Sequence, residues 1–455
     1  MGAHPELGEA VSDWIVRQRW FAGKGGMPRL RLLASLEWAA DDACQVVTHL
    51  VLDDGGQRGV LYQVPIVYRT TVADSRAASY IGSAGEHVHA YDGPHDPAFT
   101  ELLLRLVLDE GRIEGEPVSA RGVRVHRGDG SPDEHPMLRM LDARVLGGEQ
   151  SNTSIVYRVA DDTGERQLIC KVFRSLHHGE NPDVVLQSAL YAAGSASVPA
   201  VVGSVVGEWP DAGRASGRAQ GHLAFAQEFL AEAMDAWQLA LDAAAAGTDF
   251  TASARQMGSA IAEVHAVLAS AFPTKEPSRD DLAVFAALWQ ERLDAAIGEV
   301  PGLEALRRSI EATYARAIAA SWPRLQRIHG DLHLGQILAV PGDRWAIIDF
   351  EGEPMRTLET RSVPDVPLRD VAGMLRSFDY VAGANESTLG VRDWASNCRN
   401  AFLDGYSERS GHDLRRDAAL LDAFELDKAL YEAVYEARNR PTWLPIPVAA
   451  IRRLA

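Results

Sequence analysis

The chain has 455 residues, too many for a single hydrophobic core, so two or three domains are expected. With 46% hydrophobic and 24% charged residues, it has the composition of an ordinary globular protein. The net charge of −18 argues against a nucleic-acid partner, which needs a basic surface. It does not exclude ATP, because a local cluster of cations is enough to bind one nucleotide.

Cysteine usage and hydropathy predict a cytoplasmic protein that does not enter a membrane. Cys44, Cys170 and Cys398 are odd in number and far apart, without disulfide or zinc spacing, which favours a reducing compartment. The first residues lack the basic region and apolar core of a signal peptide. The sequence also has no run of about 18 apolar residues that could cross a bilayer.

Residues 1–97 combine a helical pattern with short alternating strands, and so predict a small helix-plus-sheet domain. The predicted elements are a helix beginning near Ser12 or Asp13 and ending before Gly23, and strands over residues 29–33, 44–52 and 59–66. This segment contains no obvious catalytic group.

Residues 98–230 have the pattern of a nucleotide-binding sheet. The predicted elements are an amphipathic helix over 98–108, a hairpin of strands 155–159 and 167–173 with its turn at 161–165, and a strand over 224–230. A nucleotide site needs a loop that can approach phosphates, followed by a strand cation. The loop at 147–154 followed by Lys171 has this order.

Lys171 lies in an otherwise apolar strand, where a cation needs a partner. We predict that it binds nucleotide phosphates; the alternative is an edge-strand lysine whose ammonium reaches water. The loop residues predicted to bind the nucleotide are Gln150, Ser151, Asn152, Thr153 and Ser154. A helix is predicted after Pro182, and kinases use an acid on such a helix to pair with the lysine. Asp183 and Glu180 are both candidates for that acid.

Residues 231–455 are predicted to be mainly helical. In an amphipathic helix over 252–269, His265 is expected to be a core or interface histidine rather than a ligand. Another helix begins near residue 367. In its first turn, Asp370 either braces a catalytic loop or simply complements the helix dipole.

The strongest chemical signal lies in residues 329–336 and 345–353. Phosphoryl transfer from a magnesium nucleotide needs a carboxylate that accepts the hydroxyl proton, and an amide oxygen and second carboxylate for the metal. Asp331 and Gln336 have the spacing of the Asp and Asn in the kinase catalytic loop. Asp349 stands where the Asp of Asp-Phe-Gly would. We predict that Asp331 is catalytic and that Gln336 and Asp349 bind Mg²⁺.

Two further residues of this region are substrate-binding candidates with open roles. His333 could contact phosphate or only support the loop, and Glu351 could assist the metal or contact the acceptor. The helix predicted over 424–438 presents a mixed face of a kind that can bind carbohydrate. Its members, with one aromatic residue beyond the helix, are Lys428, Tyr431, Glu432, Tyr435, Glu436 and Trp443. Composition alone favours the alternative, a solvated ladder of ion pairs with the aromatic rings in the core.

These motifs resemble the aminoglycoside-phosphotransferase/choline-kinase-like family, and within it the maltokinases. The resemblance rests on residues 329–336 and 349–354, together with 18–24, 149–154, 368–373 and 440–445. It implies an α+β, bilobal, protein-kinase-like fold with an N-terminal α/β cap and a mainly helical C-lobe. The implied division is a cap at 1–97, a nucleotide-binding subdomain at 98–230 and a helical C-lobe at 231–455. Val185 stands where the resemblance leads us to expect the acid that pairs with Lys171.

The resemblance also implies an activity: phosphorylation of maltose by ATP with Mg²⁺, giving maltose 1-phosphate for α-glucan (glycogen) synthesis. It favours interpreting the face of the C-terminal helix as a sugar site. It also makes trehalose synthase a candidate partner of a monomeric or weakly oligomeric enzyme. Two alternatives stay open. One is a kinase for glucosamine, giving glucosamine 6-phosphate, or for another sugar or an aminoglycoside. The other is a non-catalytic pseudokinase.

Overall fold

The computed structural model describes residues 8–23, 28–40, 44–56, 59–72, 78–115, 117–128, 138–147, 151–162, 164–342, 344–353 and 356–455. The chain forms two compact units. The first unit runs to Ala192 and also includes Pro199–Ala231, and the second comprises Ala193–Val198 and Glu232–Ala455. The finer division into segments 1–97, 98–230 and 231–455 stays a prediction.

The first unit is rich in strands. Its strands are β1 (Leu30–Ala40), β2 (Cys44–Asp53), β3 (Val60–Arg69), β4 (Tyr80–Gly85), β5 (Val88–Asp92), β6 (Arg112–Ile113), β7 (Ser119–Arg124), β8 (Arg139–Val145), β9 (Asn152–Asp161), β10 (Gly164–Phe173), β11 (Ser175–Leu176), β12 (Val201–Pro210) and β13 (Arg218–Glu228). Its helices are α1 (Glu9–Ile15), α2 (Pro97–Leu108) and α3 (Pro182–Ala192), with a 3₁₀ turn at Gly93–His95.

The N-terminal sheet has the antiparallel order β1-β2-β3-β5-β4, and β11 pairs with β3. The strands predicted in this segment are therefore present, but the helix begins earlier than predicted, at Glu9, and already ends at Ile15. Beyond it the chain turns, and Trp20 and Phe21 pack their rings on Tyr62. Burying these rings against the sheet outweighs the helical pattern that they contribute to in the sequence.

The second sheet has the order β6-β7-β12-β13-β10-β9-β8. The predicted hairpin is confirmed: β9 and β10 pair antiparallel, and Lys171 lies opposite Ser154. Arg174, which is fully buried, connects this sheet to the N-terminal one. Its guanidinium donates to Asp92 at 3.0 Å and to the Thr153 hydroxyl at 2.8 Å.

The second unit is mainly helical, as predicted. Its helices are α4 (Ala236–Ala246), α5 (Thr251–Ala271), α6 (Arg279–Glu299), α7 (Arg307–Ile318), α8 (Leu358–Arg361), α9 (Leu368–Ala384), α10 (Val391–Ser410), α11 (Ala418–Asn439) and α12 (Pro445–Leu454). Its 3₁₀ turns are Pro301–Leu306, Leu334–Gln336, Leu414–Asp417 and Pro441–Trp443. Across the residues that the structure describes, no helix is both long and apolar enough to traverse a bilayer.

A small sheet of this unit carries the segment with the strongest chemical signal. Its order is β14 (Met234–Asp235), β15 (Ile337–Val340) and β16 (Arg344–Ile347). Around it, α5 and α10 cross closely because Gly258 and Gly405 lie at their contact, where an added Cβ would meet carbonyl oxygens about 2 Å away. Helix α9 packs against α10, and α5 packs against β16.

Candidate active site

The loop that carries Asp331 is held from below by Asp370, in the first turn of α9. The Asp370 carboxylate accepts hydrogen bonds from the backbone amides of His329 and Gly330, both at 2.8 Å. Asp370 is only 1% exposed. Charged acceptors on backbone amides are among the stronger hydrogen bonds in proteins. Of the two roles considered for Asp370, bracing of the loop is therefore confirmed.

His265 supports the same brace from α5. It is buried, with Nε2 lying 3.0 Å from an Asp370 carboxylate oxygen and Nδ1 lying 2.8 Å from the Tyr406 hydroxyl. The expectation of a core histidine with satisfied hydrogen bonds is confirmed. Above the brace, the Leu332 carbonyl lies so close to Gly373 of α9 that an added Cβ would approach its oxygen to 2.2 Å.

Asp331 projects from this loop onto Lys428 of α11. The Lys428 ammonium donates to the Asp331 carboxylate at 2.8 Å, and the two side chains are 24% and 22% exposed. Burial raises the pKa of the Asp331 carboxyl, but the lowering contributions, led by the Lys428 ammonium, together outweigh it, so the pKa lies below its ordinary value. Asp331 is therefore ionised at neutral pH, as a proton acceptor must be.

A cavity of about 10 Å³ lies beside this pair, enough for about one water molecule. Arg292 and Arg369 line it together with Asp331 and Lys428. Burial lowers the pKa of Lys428, but the nearby carboxylates, led by Asp331, together raise it by more, so the pKa is raised overall and the ammonium stays charged. The surroundings of the candidate catalytic carboxylate are thus rich in cations.

The two predicted metal ligands lie at the open end of the β15–β16 hairpin. The backbone amide of Ile348 donates to the main-chain carbonyl oxygen of Gln336 at 3.0 Å. This bond brings Gln336 beside the residue that precedes Asp349. Asp349 has a φ of 61°, in the left-handed region that non-glycine residues rarely occupy outside functional or tight-turn positions. An amide oxygen and a carboxylate are hard oxygen donors, and Mg²⁺ is commonly held by one or two such groups plus water and phosphate. The donor set therefore fits the metal.

His333 is next to this turn and is neutral. Burial lowers its pKa to about 4, and Nδ1 accepts a hydrogen bond from the Gly335 amide at 3.1 Å. Of its two open roles, the observed contact is the one that supports the loop. A neutral imidazole could still donate one hydrogen bond to a phosphate, so the substrate role of His333 stays a prediction.

In the first unit, Lys171 lies against Asp183. Its ammonium donates to the Asp183 carboxylate at 3.0 Å, and neither side chain is more than 11% exposed. Gln187 donates to the other Asp183 oxygen at 2.6 Å. Of the two candidates, the partner is therefore Asp183 in the first turn of α3 rather than the exposed Glu180. The resemblance led us to expect this acid at position 185, but the structure has it at position 183, at the start of the helix.

The loop before β9 is described only in part, since Gln150 lies outside the described residues. Ser151 is exposed and Asn152 opens β9, so their predicted roles at the nucleotide stay predictions. Thr153 and Ser154 follow in β9 and are buried, and the Thr153 hydroxyl accepts from Arg174. Their predicted roles at the nucleotide stay predictions as well.

The predicted sugar face of α11 is already paired within the protein. Arg376 donates to Glu432 at 2.7 Å, and Arg440 donates to Glu436 at 2.6 Å. The Arg440 guanidinium also lies over the rings of Tyr435 and Trp443, at 5.4 and 4.9 Å from their centroids. Tyr435 is 45% exposed, while the Tyr431 ring faces the Lys428 ammonium at 5.4 Å. Glu351 is partly buried on the loop after Asp349, and the substrate role predicted for each of these residues stays a prediction.

Sequence reasoning missed the arginines that surround Asp331 and the α11 face. Arg292 lies in α6 and Arg376 in α9, and neither belongs to a motif. Arg376 is 1% exposed and occurs among apolar residues of an amphipathic helix. A charged residue at a core position signals a buried partner, and this pattern could have identified it.

Two family models match the chain. Residues 142–421, more than half of the chain, match the phosphotransferase enzyme family, and residues 14–96 match the maltokinase N-terminal cap domain. The chain is 31% identical over 246 residues to the glucosamine kinase of Streptacidiphilus jiangxiensis, which covers 50% of this chain and 56% of that enzyme. It is 28% identical over 335 residues to the glucosamine kinase of Mycolicibacterium smegmatis (strain ATCC 700084 / mc(2)155), covering 68% and 79%. The chain thus spans about half the length of the first of these relatives.

A solved structure described as glucosamine kinase in complex with glucosamine, ADP and inorganic phosphate is similar along nearly the whole chain. The TM-score is 0.66 with 21% identity, and the match covers 97% of this chain and 98% of that one. At this identity the likeness shows the fold alone, and it confirms the predicted α+β, protein-kinase-like class. The family predicted from the motifs is confirmed as well: the chain belongs to the phosphotransferase enzyme family and carries a maltokinase N-terminal cap domain.

Proposed function

We propose that the protein is an ATP-dependent sugar kinase that phosphorylates maltose at its anomeric hydroxyl, giving maltose 1-phosphate. The observation that carries the proposal is the Lys428 ammonium, 2.8 Å from the Asp331 carboxylate. A cation held beside the proton acceptor suits an uncharged saccharide and repels a protonated amino sugar. The maltokinase N-terminal cap domain at residues 14–96 supports the same substrate.

In the proposed reaction, the acceptor hydroxyl attacks the γ-phosphorus of ATP in line with the leaving ADP oxygen. The bond from oxygen to phosphorus forms as the bond to ADP breaks, and the hydroxyl proton passes to Asp331. Asp370 keeps this carboxylate in place through the backbone of the loop. Lys171, oriented by Asp183, steadies the nucleotide phosphates. Gln336 and Asp349 would hold Mg²⁺, which when bound neutralises phosphate charge.

The α11 face is proposed to bind the sugar rings. Aromatic rings such as Tyr431, Tyr435 and Trp443 suit the apolar faces of pyranoses. Glu432 and Glu436 are each balanced by an arginine, so the face offers hydrogen-bonding groups without a large excess of negative charge. Such a surface favours a neutral disaccharide over a polycationic aminoglycoside, which would draw on unbalanced acids.

Glucosamine is the second candidate acceptor. Two relatives that align with the chain are named glucosamine kinases, at 31% and 28% identity. For this substrate the amine would need a carboxylate near Asp331, and Glu351 or Glu432 would have to supply it. Lys428 would then have to move away from the acceptor.

One assay separates these candidates. The protein is incubated with ATP and Mg²⁺ and, separately, maltose, glucose, glucosamine or kanamycin, and ADP release is followed. Turnover with maltose is expected, accompanied by loss of the reducing end, because phosphorylation of the anomeric hydroxyl removes it. Turnover confined to glucosamine would overturn maltose as the acceptor. If no ADP is released with any of the four acceptors, a non-catalytic role is favoured.

The metal role is tested by binding rather than turnover. Asp349→Ala is expected to weaken MgADP binding measured by calorimetry, while ADP binding in EDTA changes little, since the carboxylate acts through the cation. Asp280→Ala, on the exposed first turn of α6, is the matched control. Equal MgADP affinity in both variants would remove Asp349 from the metal site.

The proposal also covers the use of the product and the partner of the enzyme. Maltose 1-phosphate is an activated disaccharide that would feed α-glucan (glycogen) synthesis in the cytoplasm. Trehalose synthase is the proposed partner. Co-purification of the two proteins from cell extract tests this partnership, and separate elution at all concentrations would argue against it.

A further inference from the structure

Six side chains of the second unit form a closed ring of alternating charges, called here the charge ring. Its members are Arg292, Glu353, Arg356, Asp365, Arg369 and Asp427. Each arginine forms ion pairs with two carboxylates, and each carboxylate forms ion pairs with two arginines. The successive distances are 3.1 Å (Arg292–Glu353), 3.1 Å (Glu353–Arg356), 3.0 Å (Arg356–Asp365), 2.9 Å (Asp365–Arg369), 3.4 Å (Arg369–Asp427) and 3.0 Å (Asp427–Arg292).

The ring is largely removed from water, because none of its side chains is more than 24% exposed. Burial raises the pKa of Glu353 and Asp365, but the lowering contributions, led by the neighbouring arginines, together outweigh it, so both carboxylates are ionised at neutral pH. Replacing such a network with apolar residues is often neutral or stabilising, so buried ion pairs are weak evidence for stability as such. A role of these ion pairs in positioning the segments that they connect is therefore the better hypothesis to test.

The members of the ring come from segments that border the candidate active site. Glu353 follows the loop of Asp349, Arg369 adjoins the brace Asp370, and Asp427 precedes Lys428 in α11. Arg292 comes from α6 and lines the same small cavity as Asp331 and Lys428. The guanidinium of Arg292 also lies over the Tyr431 ring at 5.3 Å from its centroid. One ring therefore connects the metal loop, the base of the catalytic loop and the helix proposed to bind the sugar.

We propose that the charge ring is a positioning device for the acceptor end of the site, with Arg292 as its main positioning residue. It sets α11 relative to the catalytic loop, so that Lys428 and Tyr431 meet the acceptor while Asp331 meets its hydroxyl. This proposal rests on the proposed sugar-kinase function. A displacement of about 1 Å between reacting groups can cost about 10²-fold in rate, so such a frame has a measurable effect.

The test separates the acceptor from the nucleotide. Arg292→Met removes both bridges, and Arg292→Lys keeps the charge but not the planar fork that spans two carboxylates. Both variants are expected to raise the acceptor KM and lower kcat, together by about tenfold or more in kcat/KM, with the ATP KM within about twofold of wild type. Arg255→Lys is the matched control, since Arg255 also bridges two acids, Asp404 and Glu408, but joins α5 to α10.

Each outcome decides the matter. Acceptor and ATP KM values that match those of Arg255→Lys would overturn the positioning role, as would a proportional rise of both KM values. Failure of both Arg292 variants to fold would assign the ring to stability and overturn it too. If wild-type protein turns over no acceptor, the proposed function fails first. If wild type is active and Arg292→Lys is normal, only the ring proposal fails.

Discussion

Each unit of the protein holds a lysine against an aspartate, but the two pairs differ in how they are enclosed. In the first unit, Lys171 and Asp183 are 3.0 Å apart, separated by 12 positions, and Asp183 has no exposed surface. In the second, Lys428 and Asp331 are 2.8 Å apart, separated by 97 positions, and both remain more than a fifth exposed.

The difference in exposure indicates different roles for the Asp183 and Asp331 carboxylates. Asp183 has both oxygens engaged, by Lys171 and Gln187, so it serves to hold a cation in one position. One Asp331 oxygen accepts from Lys428, and the side chain keeps access to solvent and hence to an acceptor hydroxyl. An enclosed pair therefore positions, whereas an accessible pair can react.

The largest effect is expected from Asp331→Asn. An amide cannot accept the acceptor proton, so kcat should fall by about 10²- to 10⁴-fold. ADP affinity and thermal stability should stay close to wild type, because the side chain is partly exposed and the amide still accepts from Lys428. Coupled ADP-release kinetics and calorimetry measure both quantities. Near-normal turnover of the purified variant would remove Asp331 from its catalytic role.

Asp183→Ala attacks the enclosed pair and should act on stability. It leaves the Lys171 ammonium buried without its carboxylate, which costs about 3–5 kcal/mol in comparable buried pairs. The urea midpoint should fall markedly and ATP affinity should weaken. Glu180→Ala, at an exposed position three residues away, is the control and should change stability by less than about 0.5 kcal/mol. Equal midpoints for the two variants would contradict the contrast between enclosed and accessible pairs.

Gly373→Ala tests the support beneath the accessible pair. The new Cβ would meet the Leu332 carbonyl oxygen at 2.2 Å, so the catalytic loop has to shift. Overpacking of this kind costs about 1–3 kcal/mol, and turnover should fall with it. Gly298→Ala, in α6 with open space around the position, is the control and should be neutral or slightly stabilising. A variant as active and stable as that control would show that the loop adapts freely.

The smallest effect concerns pH. Lys428 holds the pKa of Asp331 below its ordinary value, so kcat/KM should keep its acid limb below the ordinary carboxyl range. Stability from this pair is present above that range and is lost as pH falls through the folded pKa. Lys428→Met removes the ammonium that lowers the pKa of Asp331 but leaves the burial that raises it. The acid limb of kcat/KM should therefore move to higher pH. Lys275→Met, which breaks an exposed pair with Asp281, should leave the limb in place.

Part of the candidate site could be proposed from the sequence because it is local in the chain. Asp331, Gln336 and Asp349 follow from spacing within a loop and a hairpin, and the β9–β10 hairpin that carries Lys171 follows from its turn. Errors arose where tertiary packing overrode a local pattern. Trp20 and Phe21 lie beyond the end of the helix, where their rings pack on Tyr62.

Taken alone, the sequence determined the family, the order of helices and strands in outline, and the group that would carry phosphoryl transfer, because these depend on short-range spacing and periodicity. Only the tertiary structure decided that Asp183 pairs with Lys171, that Lys428 lies on Asp331, and that six charges from distant segments close into a ring. Such pairs depend on where separate helices pack, and a buried charge finds its partner in space rather than along the chain.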